Sequence, residues 1–211
     1  MKPSVFFFDC DKTLYDYDFL KRLPNLARLT GSTQYHLAST WWVGGFERAA
    51  NAGEFATGDE YLEAFAEVTG VPLTREQWCE SRKSAMTIIP GSIAALKRAS
   101  ELGTAALLSN NPIIFREELS VLAPEAAEII GGDNDLVSAV LGAAKPERRI
   151  YTRALGRLGV EASDAFFADD SHANVEAARA VGITAFHLTK TADGYDTDGL
   201  MAAVEEFAAR P

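Results

Sequence analysis

The segment Asp9-Cys10-Asp11-Lys12-Thr13-Leu14 places two carboxylates two residues apart, directly after an apolar run. Farther along, Ser109-Asn110-Asn111 and Asp169-Asp170-Ser171 also follow apolar runs, and Lys145-Pro146 stands just ahead of a helical pattern. Carboxylates brought together oppose one another's ionisation unless a cation sits among them. A set of oxygen donors without His or Cys suits a hard divalent ion, so Mg2+ held by Asp9, Asp11, Asp169 and Asp170 is the expected cofactor. Its charge would screen an approaching phosphate dianion and let Asp9 attack phosphorus as a nucleophile, giving an aspartyl-phosphate. Asp11 is spaced to protonate the leaving oxygen and then to take a proton from water. Ser109, with the backbone N–H groups from Asn110 onward, would hold phosphate oxygens, and Lys145 would offset their charge. Asn111-Pro112 reads as an N-cap with Pro at the first helical position, aiming a helix N-terminus at the same anion.

Each of these residues also has a plainer reading. Asp-x-Asp alone is the composition of a solvated turn, Ser109 alone merely ends a strand, and Lys145 alone is a surface lysine ahead of a helix. The four groups in order, each at the edge of an apolar run or a helix, favour the site. His172 reads as a helix-opening or surface residue, and His36 and His187 as structural. Trp41, Trp42, Phe46 and Arg48 read as filling a small core, since aromatic stripes are usually core. Tyr15, Asp16 and Tyr17 follow the first carboxylate pair closely enough to meet a leaving group; the sequence leaves that open.

The elements that must position these groups are legible as apolar runs. Val5 to Phe8 is a β-branched and aromatic run with the character of a strand buried on both faces of a parallel sheet. Residues 105–108, 165–168 and 184–187 repeat it, each after a helical pattern closed by Gly103, Gly159 or Gly182. The helices are expected at 92–102, 147–158 and 173–181, with a last one at 198–209. This alternation predicts an α/β fold, a doubly wound parallel sheet, with ligands outside the carboxyl ends of its strands. Residues 16–88 have helical period and no strand candidate, and are expected to form a second, smaller helical domain inserted into a core of 1–15 and 89–211. Within it, Thr57-Gly58-Asp59-Glu60 reads as a capping box that starts a helix ended by Gly70 and Pro72.

Composition sets the outer bounds. At 211 residues with 47% hydrophobic content, the chain can bury a core without disulfides. A formal charge of −10 argues against a protein that wraps nucleic acid. Cys10 and Cys79 are far apart and in no metal-ligand spacing, which fits a reducing compartment. The apolar run before Asp9 is too short for a signal segment or a membrane span, so a cytoplasmic protein without a membrane partner is expected.

The order Asp9-x-Asp11-x-Thr13-Leu14, Ser109-Asn110, Lys145-Pro146, Asp169-Asp170 resembles the four signature motifs of the haloacid dehalogenase superfamily. The segments running on from Lys145 to Tyr151 and from Phe166 to Arg179 extend the likeness, which points to the subgroup with a helical (type C1) cap inserted after the first motif. The resemblance implies a Mg2+-dependent phosphomonoester hydrolase acting on a small phosphorylated metabolite, of the sugar phosphate or nucleoside monophosphate class. It implies Asp9 as nucleophile, Asp11 as acid/base and as a metal ligand through its backbone carbonyl, Ser109 and Lys145 as phosphate ligands, and Asp170 as the direct carboxylate ligand with Asp169 acting through water. Lys12 departs from the pattern, standing where many members have Gly. A phosphomutase and a non-catalytic phosphate- or metal-binding module remain as alternatives; Asp11 disfavours a dehalogenase.

Overall fold

The computed structural model describes residues 4–192 and 194–210. The first strand, β1 (Val5–Phe8), has only apolar side chains, all buried. The chain then enters β2 (Tyr15–Tyr17), traverses a helical segment and returns as β3 (Met86–Ile88), antiparallel to β2. There follow β4 (Thr104–Ser109), β5 (Asp135–Val137), β6 (Ala165–Asp169) and β7 (Thr184–His187). A short hairpin, β8 (Lys190–Thr191) with β9 (Gly194–Tyr195), precedes the helix Thr197–Ala208.

Five strands form one parallel sheet in the order β5-β4-β1-β6-β7. Successive residues of β1 face opposite sides, as the pleat requires. Phe6 and Phe8 join Leu96, Ala99 and Phe207, from the helices Pro90–Leu102 and Thr197–Ala208. Val5 and Phe7 join Ile150, Ala154 and Ala178, from Arg148–Leu158 and His172–Ala180. Helices thus cover both faces, the doubly wound α/β arrangement expected. Gly103 lets the helix Pro90–Leu102 turn straight into β4: a Cβ there would lie 2.4 Å from the Ser4 carbonyl oxygen.

The chain fills the sheet from β1 outward through β4 to β5, then returns to the other side of β1 with β6 and β7. Its reversal point lies between β1 and β6, and the carboxyl ends of those two strands are where such a fold opens a crevice. Asp9 and Asp169 stand there.

Between β2 and β3 the helices Phe19–Thr30, Gln34–Leu37, Phe46–Asn51, Gly58–Thr69 and Arg75–Lys83 and a π-helical turn, Ala38–Val43, surround an aromatic core. Trp41 is fully buried, with Phe65, Tyr61 and Phe46 at ring separations of 5.0, 5.1 and 5.6 Å. Thr57 caps the helix Gly58–Thr69 as expected, accepting from the Glu60 N–H, and Gly70 ends it in a left-handed conformation. The reciprocal bond is shifted by one residue, because Glu60 accepts from the Ala56 N–H rather than from Thr57. The expectation of no strand across residues 16–88 is corrected by β2 and β3, whose antiparallel pairing joins the two ends of the helical segment. The helix Arg75–Lys83 then runs to the foot of β3. Among the described residues no helix is long and apolar enough to cross a membrane.

Candidate active site

At the head of β1, Asp9 donates its N–H to the Ala168 carbonyl, which fixes its backbone against β6. Its carboxylate oxygen Oδ1 lies 2.8 Å from Lys145 Nζ, and the same ammonium lies 2.6 Å from Asp169 Oδ2. Asp169 is wholly buried and its oxygens also accept from the Ser171 N–H and the Asn174 side-chain amide, at 2.8 and 2.9 Å. A buried carboxylate so fully bonded is fixed in place and acts as the anchor that aims Lys145 at Asp9. Burial drives the Asp9 carboxyl above its ordinary range; Lys145 pulls it back, and Asp169 adds to the rise. Burial works against the charge on Lys145, but Asp9 and then Asp169 outweigh it, so the ammonium persists.

Asp11 is held from the other side. Both its carboxylate oxygens accept from Arg82 Nη2, at 2.7 and 2.6 Å. Arg82 lies in the helix Arg75–Lys83, is only 2% exposed, and also donates to Asn111 Oδ1 at 3.1 Å. Its guanidinium lies over the Tyr17 ring at 4.1 Å and near Phe115 at 5.1 Å. Burial opposes its charge, but Asp11 and then Tyr17 more than compensate and hold the guanidinium above its ordinary value.

The loop after β4 forms the third wall. Ser109 is 1% exposed and its hydroxyl accepts from the Asn111 side-chain amide at 2.9 Å. The Asn110 side chain is fully engaged with the Lys145 backbone, donating to its carbonyl at 2.9 Å and accepting from its N–H at 2.8 Å. Asn110 therefore sets the position of Lys145, and the backbone of this loop is what it offers to an anion. The expected N-cap at Asn111 is corrected. Pro112 is itself the cap of the short helix Ile113–Glu117, with no side-chain cap bond, because the Asn111 amide is drawn inward to join Ser109 with Arg82.

Carboxylate oxygens of Asp9, Asp169 and Asp170 lie within 4.8 Å of one another. Asp170 is half-buried, and no other described residue donates a hydrogen bond to its carboxylate; its backbone carbonyl meets His187 Nε2 at 2.9 Å. Burial, with Asp169 beside it, raises the Asp170 carboxyl. Two carboxyls, Asp9 and Asp170, each pushed up by burial and by the charge of Asp169, offer oxygen donors alone and fit a hard divalent cation. Asp169 has little left to give one, since Lys145, Ser171 and Asn174 already occupy its oxygens.

Comparison with known proteins places this chain in a family. A model of the haloacid dehalogenase-like hydrolases matches residues 3–182. The chain belongs to that family. Over 217 aligned residues it is 25% identical to a protein named phosphatase MT3486 of Mycobacterium tuberculosis, covering 99% of this chain and 97% of that one. A solved structure described as a predicted HAD-like family hydrolase from Porphyromonas gingivalis superposes with a TM-score of 0.73 at 14% identity, over the whole of both chains. A HAD family enzyme of Bacteroides thetaiotaomicron, solved in complex with magnesium and inorganic phosphate, superposes with a TM-score of 0.71 at 18% identity, covering 89% of this chain and 94% of that one.

In this hydrolase Lys12, the departure from the family pattern, adopts a left-handed backbone with φ of 61°. Glycine would make this turn freely; here Lys12 makes it, and the Cys10 carbonyl organises it by accepting from the N–H groups of Leu14 and Tyr15 at 2.9 and 3.0 Å. A cavity of about 580 Å3 opens beside it, lined by Lys12, Tyr17, Asp170, His187 and Lys190 among others. Of the three residues the sequence left open, Asp16 and Tyr17 line this cavity, whereas Tyr15 is buried with its hydroxyl donating to Glu125. His172 is an exposed first residue of its helix, and His36 Nε2 meets the Thr69 carbonyl, both as expected. The sequence did not single out Arg82 or Asn174, and it assigned the Asn111 side chain a capping role rather than the link between Ser109 and Arg82. Asn174 had a signal in its position in the first turn of the helix that follows Asp169; Arg82, next to Lys83 and 71 residues from its partner, had none.

Proposed function

We propose that this hydrolase is a phosphomonoesterase that works through an aspartyl-phosphate on Asp9, with a small phosphorylated metabolite as substrate. The observation that carries this reading is the buried Asp9 carboxylate, aligned 2.8 Å from Lys145, with a second aspartate, Asp11, two residues on. An Asp9 oxygen attacks phosphorus; the bond from phosphorus to the ester oxygen breaks, and Asp11 gives that oxygen its proton. Water then attacks the phosphorylated Asp9, Asp11 takes the proton from water, and inorganic phosphate leaves with Asp9 restored. Lys145, Ser109 and the backbone N–H groups of the Asn110 loop bind the phosphoryl oxygens, where preorganised donors in a dry site count most. Asp9, Asp170 and the Asp11 carbonyl would hold Mg2+, with Asp169 acting behind them through Lys145. The metal's contribution is to screen the charge between Asp9 and the phosphate dianion. Residues 16–88 serve as a cap over this site, and residues 1–15 with 89–211 as the core that carries it.

A second aspartate at position 11 has no task in displacing a halide, whereas ester hydrolysis needs a proton donor. The experiment is release of inorganic phosphate from a broad metabolite panel, with and without Mg2+, beside Asp9→Asn as control. Turnover that requires both Mg2+ and Asp9 is expected, with at least about a 10³-fold loss in Asp9→Asn. A panel from which folded, Mg2+-loaded protein frees no phosphate would sink the proposal.

A further inference from the structure

Arg82 is a buried cation whose position next to the acid/base residue is not explained by hydrolysis alone. A single nitrogen, Nη2, binds both oxygens of Asp11, so the carboxylate faces Arg82, with 26% of its side chain still exposed. Nε of the same guanidinium is buried with no hydrogen-bond partner among the described residues. Behind it sits a second buried arginine, Arg22, whose Nη1 donates to the Tyr17 hydroxyl at 3.3 Å and whose Nε is also without a partner. Tyr17 thus lies between two guanidinium groups, touching Arg82 with its ring face and Arg22 with its hydroxyl. The nearest carboxylate to Arg22 is Glu47, at 3.8 Å, and Glu47 is already bonded by Trp41 and Tyr61.

Seated through both oxygens on one nitrogen, Asp11 is held in an orientation that faces Arg82. To reach the ester oxygen its carboxylate must turn away from Arg82, leaving a guanidinium with no counter-ion in a setting closed to water. A planar carboxylate held through both oxygens is what Arg82 already binds, so Asp11 occupies a place that another carboxylate can take. Resting on the reading of this site as a phosphomonoesterase, we propose that its substrates are phosphate esters of hydroxy acids, and that Arg82, backed by Arg22, binds the carboxylate of the leaving group as Asp11 swings to the ester oxygen. The substrate then releases its own acid/base residue: only an ester that brings an anion close to the scissile oxygen replaces Asp11 on Arg82.

The test compares two esters that differ in one group, 2-phospholactate and isopropyl phosphate, with p-nitrophenyl phosphate as a general reporter. For the Mg2+-loaded enzyme, kcat/KM is expected to favour the carboxylate ester by roughly ten- to a hundred-fold, the range of a hydrogen-bonded charge pair. In Arg82→Gln that ratio should fall towards one, chiefly through KM for 2-phospholactate, with Arg82→Lys between. Loss of Asp11 positioning slows both esters alike and cancels in the ratio. Equal ratios in the wild type and Arg82→Gln would overturn the assignment and leave Arg82 as a positioning residue for Asp11. Should Arg82→Gln fail to fold, Arg82→Lys gives the same comparison. Calorimetric binding of each ester to Asp9→Asn with Mg2+ reads the preference without turnover. If no phosphate is released from the broad metabolite panel, the phosphatase reading fails, while equal binding of the two matched esters to Asp9→Asn overturns the Arg82 proposal on its own.

Discussion

Lys145 Nζ lies 2.6 Å from Asp169 Oδ2, and both groups are almost completely withdrawn from water. Removing one member of a buried ion pair strands the other, at a cost of about 3–5 kcal/mol. Asp169→Ala is therefore expected to lower stability by about that amount in urea denaturation, since it also orphans Asn174 and the Ser171 N–H. Asp170→Asn, whose side chain anchors nothing comparable, should cost less than about 1 kcal/mol while abolishing the response to Mg2+. Equal losses from the two variants would contradict the division of labour between these neighbours.

The acidity of Asp9 makes a prediction about the metal-free protein. Burial, against the pull of Lys145, raises its carboxyl from 3.8 to about 7. A folded value above the unfolded one means that the native state keeps a proton the unfolded chain has released. The stability this contributes is full below about pH 4 and is lost as pH rises towards about 7. Metal-free wild type should lose melting temperature across that window more steeply than Asp9→Asn. Ligation needs ionised carboxylates, so Mg2+ should raise the melting temperature more at about pH 7.5 than at about pH 5. Parallel profiles for wild type and Asp9→Asn would refute this.

Much of this site was legible because its strands are continuous apolar runs. β1, β4 and β6 are buried between helices and built mainly of Val, Phe, Ala and Leu, with Asp9, Ser109 and Asp169 at or just beyond their ends, whereas β7 is a part-buried Thr-Ala-Phe-His edge. The strand Asp135–Val137 was hidden by its brevity and by an aspartate that pairs with Arg116, as sheet-edge strands often carry charge. Tyr15–Tyr17 and Met86–Ile88 are three residues each and pair across the 68 intervening residues 18–85, so neither shows a period by itself. Arg82 belongs to the same class of failure: a single charge chosen by tertiary contact leaves no pattern along the chain.

Lys12 pays a local conformational cost that glycine would not. A non-glycine residue in the left-handed region costs about 1–2 kcal/mol. Glycine relieves that but loses more freedom on folding, so Lys12→Gly should change stability by about 0–1 kcal/mol in the favourable direction. Lys12→Val, β-branched at the same φ of 61°, should destabilise by about 1–2 kcal/mol or more. Denaturant midpoints of the three proteins measure both steps, and a Lys12→Val variant as stable as wild type would show that the turn relaxes without cost.

Asp16 joins the β2–β3 ribbon to the C-terminal hairpin, its carboxylate accepting from Lys190 at 2.8 Å and from the Tyr195 hydroxyl. Hydrogen bonds from Lys190 and then Tyr195 hold its carboxyl below the ordinary range. Both members of the ion pair are about half exposed, so its worth to global stability is about 0–1 kcal/mol. Its consequence is local, because β2 is one of only two strands that join the helical segment to the parallel sheet. A double variant, Lys190→Ala with Tyr195→Phe, should keep its melting temperature within a few degrees of wild type. Amide exchange in Tyr15–Tyr17 and Met86–Ile88 should quicken by roughly ten-fold, as expected when a restraint on local opening worth about 1.4 kcal/mol is lost. The two readouts together decide the matter: a large fall in melting temperature would make these contacts part of the core, and unchanged exchange would leave the ribbon held by its own pairing and by Tyr15 on Glu125.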